Sequence, residues 1–282
     1  MPSATIKLFL PHGDAKRLRV AEVSNWTGKA LAAPRTELDE LLRREELENS
    51  GIYFLFGADP DNGDPLAYIG EAEVIRDRLK QHKPKDFWSS VVVFVSKDEN
   101  LTKAHIRFLE NRILQESKLA GRYRLDNVNS SNPKLPESDR EDMEVFLSRI
   151  RQVLPVLGSD LLSPIGGSIK TTKVEKELFC KIKNVVARGR RTEAGFVVFK
   201  NSTAVLIERP STETQAPAIL AHRKKLIQNG TLVQSTEVYK FTTDTEFSSP
   251  SMAAAIIHGG SANGLITWKD SGGKTLKEIE DD

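Results

Sequence analysis

Short apolar runs separated by turn-forming clusters divide this chain into brief strands and a few longer helices. Ile6-Lys7-Leu8-Phe9-Leu10 and Leu18-Arg19-Val20-Ala21-Glu22-Val23 read as strands flanking a turn at Pro11-His12-Gly13-Asp14. Thr36 is expected to cap a helix carrying Leu38, Leu41 and Leu42, with Asp39 completing a variant capping box. A hairpin follows: Gly51-Ile52-Tyr53-Phe54-Leu55-Phe56, a polar loop over 57–65, then Leu66-Ala67-Tyr68-Ile69-Gly70. Beyond it the pattern predicts a helix over about 71–82, a strand over 90–95 and a second helix over about 101–119. The clearest helical period is Met143, Phe146, Leu147, Ile150, Val153 and Leu154, with Ser138 and Glu141 as a capping box and Pro155 as the stop.

Gly158, Ser159, Pro164, Gly166, Gly167 and Ser168 mark a linker. After it, Gly195-Phe196-Val197-Val198-Phe199 has the character of a buried strand. Residues 218–229 form a helix ended by Gly230, and Ser249-Pro250 opens another, ended by Gly259. Trp268-Lys269-Asp270-Ser271-Gly272-Gly273 reads as a strand entering a turn. The expected organisation is an N-terminal β unit with a helix (1–45), a central domain (46–157), a linker (158–175) and a C-terminal α+β domain (176–282).

Composition narrows the class of protein. Hydrophobic residues make up 39% and charged residues 28%, as expected of a folded globular chain. No apolar run is long enough to span a bilayer, so no membrane partner is expected. The single cysteine, Cys180, cannot close an internal disulfide, which points to a reducing, cytoplasmic location. Net charge is only +2, but cations concentrate over 170–191, where Lys181, Lys183, Arg188, Arg190 and Arg191 are the candidate nucleic-acid contacts. A merely solvated surface is the competing reading of that stretch. Gly272-Gly273-Lys274-Thr275 lacks the first glycine of a phosphate-binding loop, because Trp268 stands there.

The chemistry lies in an ordered set of residues in the central domain. Tyr53 and Tyr68 sit on neighbouring strands of the hairpin, so both phenols can face one side. Arg78 and His82, four apart, stack on one face of the next helix. The following helix carries Glu110, and the turn after it carries Asn127. Phosphodiester hydrolysis needs a positioned water, a proton acceptor and positive charge facing the phosphate oxygens, and these residue types supply all three. Each has a plainer reading: the tyrosines as core aromatics, Arg78 and Glu110 as solvated helix charges.

Gly51-Ile52-Tyr53, Tyr68-Ile69-Gly70, the run from Arg78-Leu79 to His82, and Phe108-Leu109-Glu110-Asn111-Arg112 together resemble the GIY-YIG nucleases over about residues 50–135. The resemblance implies a small α+β domain on a three-stranded antiparallel sheet flanked by helices, and a metal-dependent endonuclease acting on nucleic acid, DNA above all. It implies Tyr53 as general base toward the water, assisted by His82, with Tyr68 hydrogen-bonding the phosphate or water. Arg78 would clamp phosphate, and Glu110 would bind the metal, Mg²⁺ or Mn²⁺. Asn127 fits the family asparagine by position, and Asn129 remains open beside it. The loop at 57–65 is longer and more acidic than in compact members. The alternative is a catalytically inactive GIY-YIG scaffold that holds nucleic acid or a protein. One such site cuts one strand, so cutting a duplex implies a homodimer or two visits. The C-terminal part resembles a bacterial domain of unassigned function that accompanies restriction-type proteins. Its Arg223-Lys224-Lys225 is expected to help position substrate.

Overall fold

The computed structural model describes residues 3–127, 133–166 and 176–281. The chain divides into two compact units, Met1–Pro164 and Ile165–Asp282, and both mix helices with mainly antiparallel sheet.

The first unit is built on strands β1 (Ile6–Phe9), β2 (Arg19–Val23), β3 (Gly28–Pro34), β4 (Gly51–Ala58), β5 (Pro65–Ala72), β6 (Trp88–Ser96) and β7 (Arg124–Leu125). They form one seven-stranded sheet in the order β1-β2-β3-β6-β4-β5-β7. All neighbours are antiparallel except β5 and β7. The expected three-stranded sheet is its centre, β6-β4-β5. Residues 1–45, expected as a unit of their own, instead supply three further strands of the same sheet. β3 carries four consecutive buried residues, Ala30 to Ala33, and pairs with β6 along seven residues. Its alanines have weak strand preference, so only the unbroken apolar run and the flanking Gly28 and Pro34 betray it.

Helices cover both faces, which is why the central strands are continuously apolar instead of alternating. Ile52, Phe54, Ile69 and Phe94 face α3 (Lys103–Ala120) and α4 (Glu137–Val156). Tyr53, Leu55, Val91 and Val93 face the opposite way, toward α1 (Leu38–Leu41), a 3₁₀ turn at Glu45–Glu48 and α2 (Ile75–Gln81). The long helices match the periodicity: Met143, Phe146, Leu147, Ile150, Val153 and Leu154 are all buried on α4.

Several local expectations are corrected. Thr36 lies inside a 3₁₀ turn and caps nothing; Glu37 anchors this corner instead, accepting from the Leu18 amide at 2.8 Å and from Arg17. Ser138 makes no capping bond, since α4 begins earlier, after Pro136, and Ser138 bonds Asp139. Pro155 sits within the last turn of α4 instead of ending it. α2 is shorter than expected because β5 runs on through Ala72. Of the expected linker, Leu161 is buried in the first unit's core, and 167–175 lie outside the described residues.

The second unit holds β8 (Leu178–Ile182), β9 (Val185–Thr192), β10 (Gly195–Val198), β11 (Thr203–Val205), β12 (Leu232–Ser235), β13 (Val238–Phe241) and β14 (Thr245–Phe247). A four-stranded sheet runs β14-β10-β9-β8, and a three-stranded one runs β11-β13-β12. The helices are α5 (Thr212–Gln215), α6 (Pro217–Gln228), α7 (Pro250–His258), α8 (Gly264–Thr267) and α9 (Leu276–Glu280). α7 starts as its sequence indicates: Ser249 accepts from the Met252 amide and Pro250 takes the first position. Its residues 253–257 are buried among Phe196, Val198, Phe247 and Trp268.

Candidate functional site

Strand alternation decides which groups meet. Tyr53 pairs with Gly70 and Leu55 with Tyr68, which puts both phenols on the α2 side of the sheet, ring centroids 5.9 Å apart. Gly70 is required there: a Cβ on it would stand 2.3 Å from the Tyr53 hydroxyl. His82, at the C-cap of α2, is buried against the same rings, 4.7 Å from Tyr68 and 5.5 Å from Tyr53 between centroids.

The Tyr53 hydroxyl is the hub. Its oxygen lies 2.8 Å from His82 Nε2, and Arg78 Nε donates to it at 3.3 Å. Burial pushes the phenol well above its ordinary pKa, with Tyr68 adding to the effect and Arg78 opposing it. Burial also pulls His82 down to about 4, with Lys85 and Arg78 adding to it. His82 is therefore neutral at pH 7, and its Nδ1 is buried without a partner among the described residues.

Glu110 projects from α3 toward the β5 edge, where it faces the backbone N–H of Glu71. Burial, and next the neighbouring Glu71 carboxylate, raise its pKa to about 7, while Arg78 and Arg107 partly offset this. An anion so destabilised is suited to a cation. Asn127 serves the same edge differently: its Oδ1 accepts from the Ile69 amide at 3.1 Å and its Nδ2 donates to the Ile69 carbonyl at 2.6 Å. Both ends of the amide therefore replace a missing strand partner. Asn129, the other asparagine considered, lies outside the described residues.

Three residues of the site carry no sequence signal of their own. Lys85 places its ammonium 4.6 Å from the Tyr68 ring centroid and pairs with Asp126 at 2.6 Å. Glu71 follows directly on Tyr68-Ile69-Gly70, and only the register shows that it neighbours Glu110. Arg35, from the corner after β3, donates to the carbonyls of Lys83 at 2.8 Å, Trp88 at 3.2 Å and Lys85, while its guanidinium stacks over Trp88. It thereby fixes the loop that carries His82 and Lys85.

The basic residues of the second unit do not form one stripe. Lys181, Arg188 and Arg190 project from the face of the four-stranded sheet opposite its core. Arg191 has the other parity and pairs with Glu280, and Lys183 sits in a tight turn at φ +50°. Arg188 pairs with Glu177 at 3.4 Å, and Arg190 donates to the Gly166 carbonyl. Lys170 and Lys173 lie outside the described residues. Arg223, expected on an exposed helix face, is instead wholly buried, donating to Glu208 at 2.9 Å and to the carbonyls of Ile256 and Val205. Cys180 is buried with its thiol pushed up to about 12 by desolvation, the state of a core residue and not of a nucleophile.

Among the described residues no group of three or more His, Cys, Asp or Glu side chains could hold a metal, and no helix is long and apolar enough to cross a membrane. Residues 178–280 match a protein family described as a domain of unknown function (DUF4357). No curated protein and no solved structure matches the chain.

Proposed function

We propose that the first unit is a metal-dependent endonuclease of the GIY-YIG kind, hydrolysing phosphodiester bonds in DNA, and that the second unit adds affinity or target choice. The observation that carries this reading is the Tyr53 hydroxyl, held between His82 Nε2 at 2.8 Å and Arg78 Nε at 3.3 Å. With its pKa raised, Tyr53 rests as a neutral phenol and is no base by itself. Neutral His82 keeps a lone pair at working pH. Tyr53 can therefore pass its proton to His82 Nε2 while taking one from an attacking water, and no free phenolate is needed. Arg78 supplies the charge that meets the phosphate oxygens, and Tyr68 donates from the adjoining strand.

The residues present fit a hard divalent cation. Glu110 offers one carboxylate whose ionised form is disfavoured in the free protein, and Mg²⁺ commonly accepts one or two carboxylates while keeping several waters. Mg²⁺ or Mn²⁺ on Glu110 would supply Lewis-acid stabilisation of charge building on the phosphate. Asn127 and Arg35 act at one remove, holding the β5 edge and the loop of His82.

The test is cleavage of duplex, single-stranded and branched DNA and of RNA, with and without Mg²⁺ or Mn²⁺, by the wild type, Glu110→Ala and Arg78→Ala. Metal-dependent cutting lost in both variants is expected. Metal-independent cutting, or cutting undiminished by Glu110→Ala, defeats the mechanism. Binding without cutting under every metal replaces it with a scaffold that only holds nucleic acid.

A further inference from the structure

The first unit carries a second concavity, which Tyr53 does not line. A cleft of about 560 Å³ opens at the ends of β4 and β6, walled by Arg19, Phe56, Phe87, Tyr123, Ser90 and Ser159 among others. Arg19 shares the face of Ala21 and Val23, which pack in the core under α4. Among the described residues no acidic side chain lines the cleft, and Arg19 is the one charged residue that does.

Arg19 differs from the other partly buried arginines of this unit. Arg76 is held by Glu48, Arg112 by Glu144, Arg151 by Glu116 and Arg35 by three carbonyls. Arg19 has no ion pair among the described residues, and its Nε, like that of Arg76, is shielded from solvent without a hydrogen-bond partner there. Burial alone acts on the group, lowering its pKa from the ordinary arginine value with no carboxylate to oppose it. A guanidinium that lines a cleft with no carboxylate paired to it leaves its charge to be met by an arriving anion. Asp59, Asp64, Asp86 and Asp160 adjoin lining residues in sequence without lining the cleft themselves, and Asp59 is already paired with Arg124.

The rest of the wall adds a second chemistry. Phe56 and Tyr123 meet at 5.6 Å between ring centroids, tilted by 57°, and give the cleft an aromatic side. Ser159 Oγ accepts from the Leu161 amide and retains its own proton to donate. A guanidinium fork, hydroxyl donors and aromatic surface in a space of this size suit a phosphate joined to a planar base. We propose that this cleft binds a nucleoside monophosphate unit, with its phosphate on Arg19 and its base against Tyr123 and Phe56. The site does not depend on the cleavage reading, since Tyr53, Tyr68, Arg78, His82 and Glu110 do not line it, although Phe87 and Val91 of its wall pack in the same core as Tyr53.

The test is calorimetric titration of the full chain with deoxyadenosine monophosphate, deoxyadenosine and inorganic phosphate, for the wild type, Arg19→Gln, Tyr123→Leu and Glu110→Ala. The monophosphate should bind wild type and Glu110→Ala alike, at least tenfold more weakly to Arg19→Gln, and more tightly than either fragment. Tyr123→Leu should weaken the nucleotide but leave inorganic phosphate unchanged. Competition by a 5′-phosphorylated pentadeoxyadenylate would identify the source as a strand end, and failure to compete as a free nucleotide; both keep the site. Absent binding to wild type, binding unchanged in Arg19→Gln, or binding lost in Glu110→Ala overturns the proposal. So does a lower melting temperature of ligand-free Arg19→Gln, which would make Arg19 a structural residue.

Discussion

Replacing Glu110 by glutamine tests the electrostatics of the site without requiring any substrate. In the folded chain this carboxyl titrates at about 7 against an ordinary value of 4.5. At about 1.4 kcal/mol per pKa unit, the difference corresponds to roughly 3 kcal/mol. The sign follows from which state holds the proton. The folded state binds it more tightly, so the group's contribution is fully present below 4.5 and is lost as pH rises through about 7. Glutamine does not titrate and keeps an oxygen for the Glu71 N–H. Glu110 is partly exposed, so solvent screening reduces the effect to about 1–3 kcal/mol. Metal-free urea denaturation of wild type and Glu110→Gln, followed through the first unit's transition, should find the variants nearly equal at pH 4.5. By pH 8 the glutamine variant should be ahead by that amount, or by roughly 2–4 °C of melting temperature for each kcal/mol. His82 titrates in both proteins and cancels from the comparison. Mg²⁺ should narrow the gap at pH 8 by stabilising only the wild type. Equal stability at pH 8, or a larger advantage at low pH, would refute the idea that Glu110 is held as a disfavoured anion.

Gly70→Ala should destabilise the first unit by about 1–3 kcal/mol, since the new methyl displaces the Tyr53 ring; thermal melting measures this, and cleavage should fall with it. Asn127→Ala leaves the Ile69 N–H and C=O without partners, so a loss of about 1–3 kcal/mol is expected, with faster amide exchange at Ile69. Arg35→Ala strips the donor from three carbonyls of the loop bearing His82 and Lys85. A lower urea midpoint should follow, and Arg35→Lys should restore only part of it, because an ammonium cannot reproduce the fork.

The elements legible in the sequence were those whose burial leaves a period or an unbroken run. α4 announced itself through six buried residues on one face, and β4 and β6 through apolar stretches bounded by turns. β3 was not legible, because alanines built its centre and its apolar character comes from lying between two strands far apart in sequence. The grouping of Tyr53, Tyr68, Arg78 and His82 could be anticipated from strand parity and helical spacing. The parts supplied by distant segments could not: Arg35 acts across some fifty residues, and Glu71 meets Glu110 only through packing of α3 against β5. Arg223 shows the opposite failure. A basic triplet looks like surface, yet the first of its residues is sealed among carbonyls.

The pairing of β3 with β6 bears on how this fold can be taken apart. The segment that holds the two tyrosines, the arginine, the histidine and the glutamate spans 46–127, and an engineer would cut there to graft it onto another targeting domain. Such a graft would uncover seven successive residues of β6, most of them buried valine, phenylalanine and serine, along a backbone edge stripped of its partner. Long, flat, apolar edges recruit other chains. The excised piece should therefore assemble into oligomers or precipitate, and a transplantable unit would have to begin before β1.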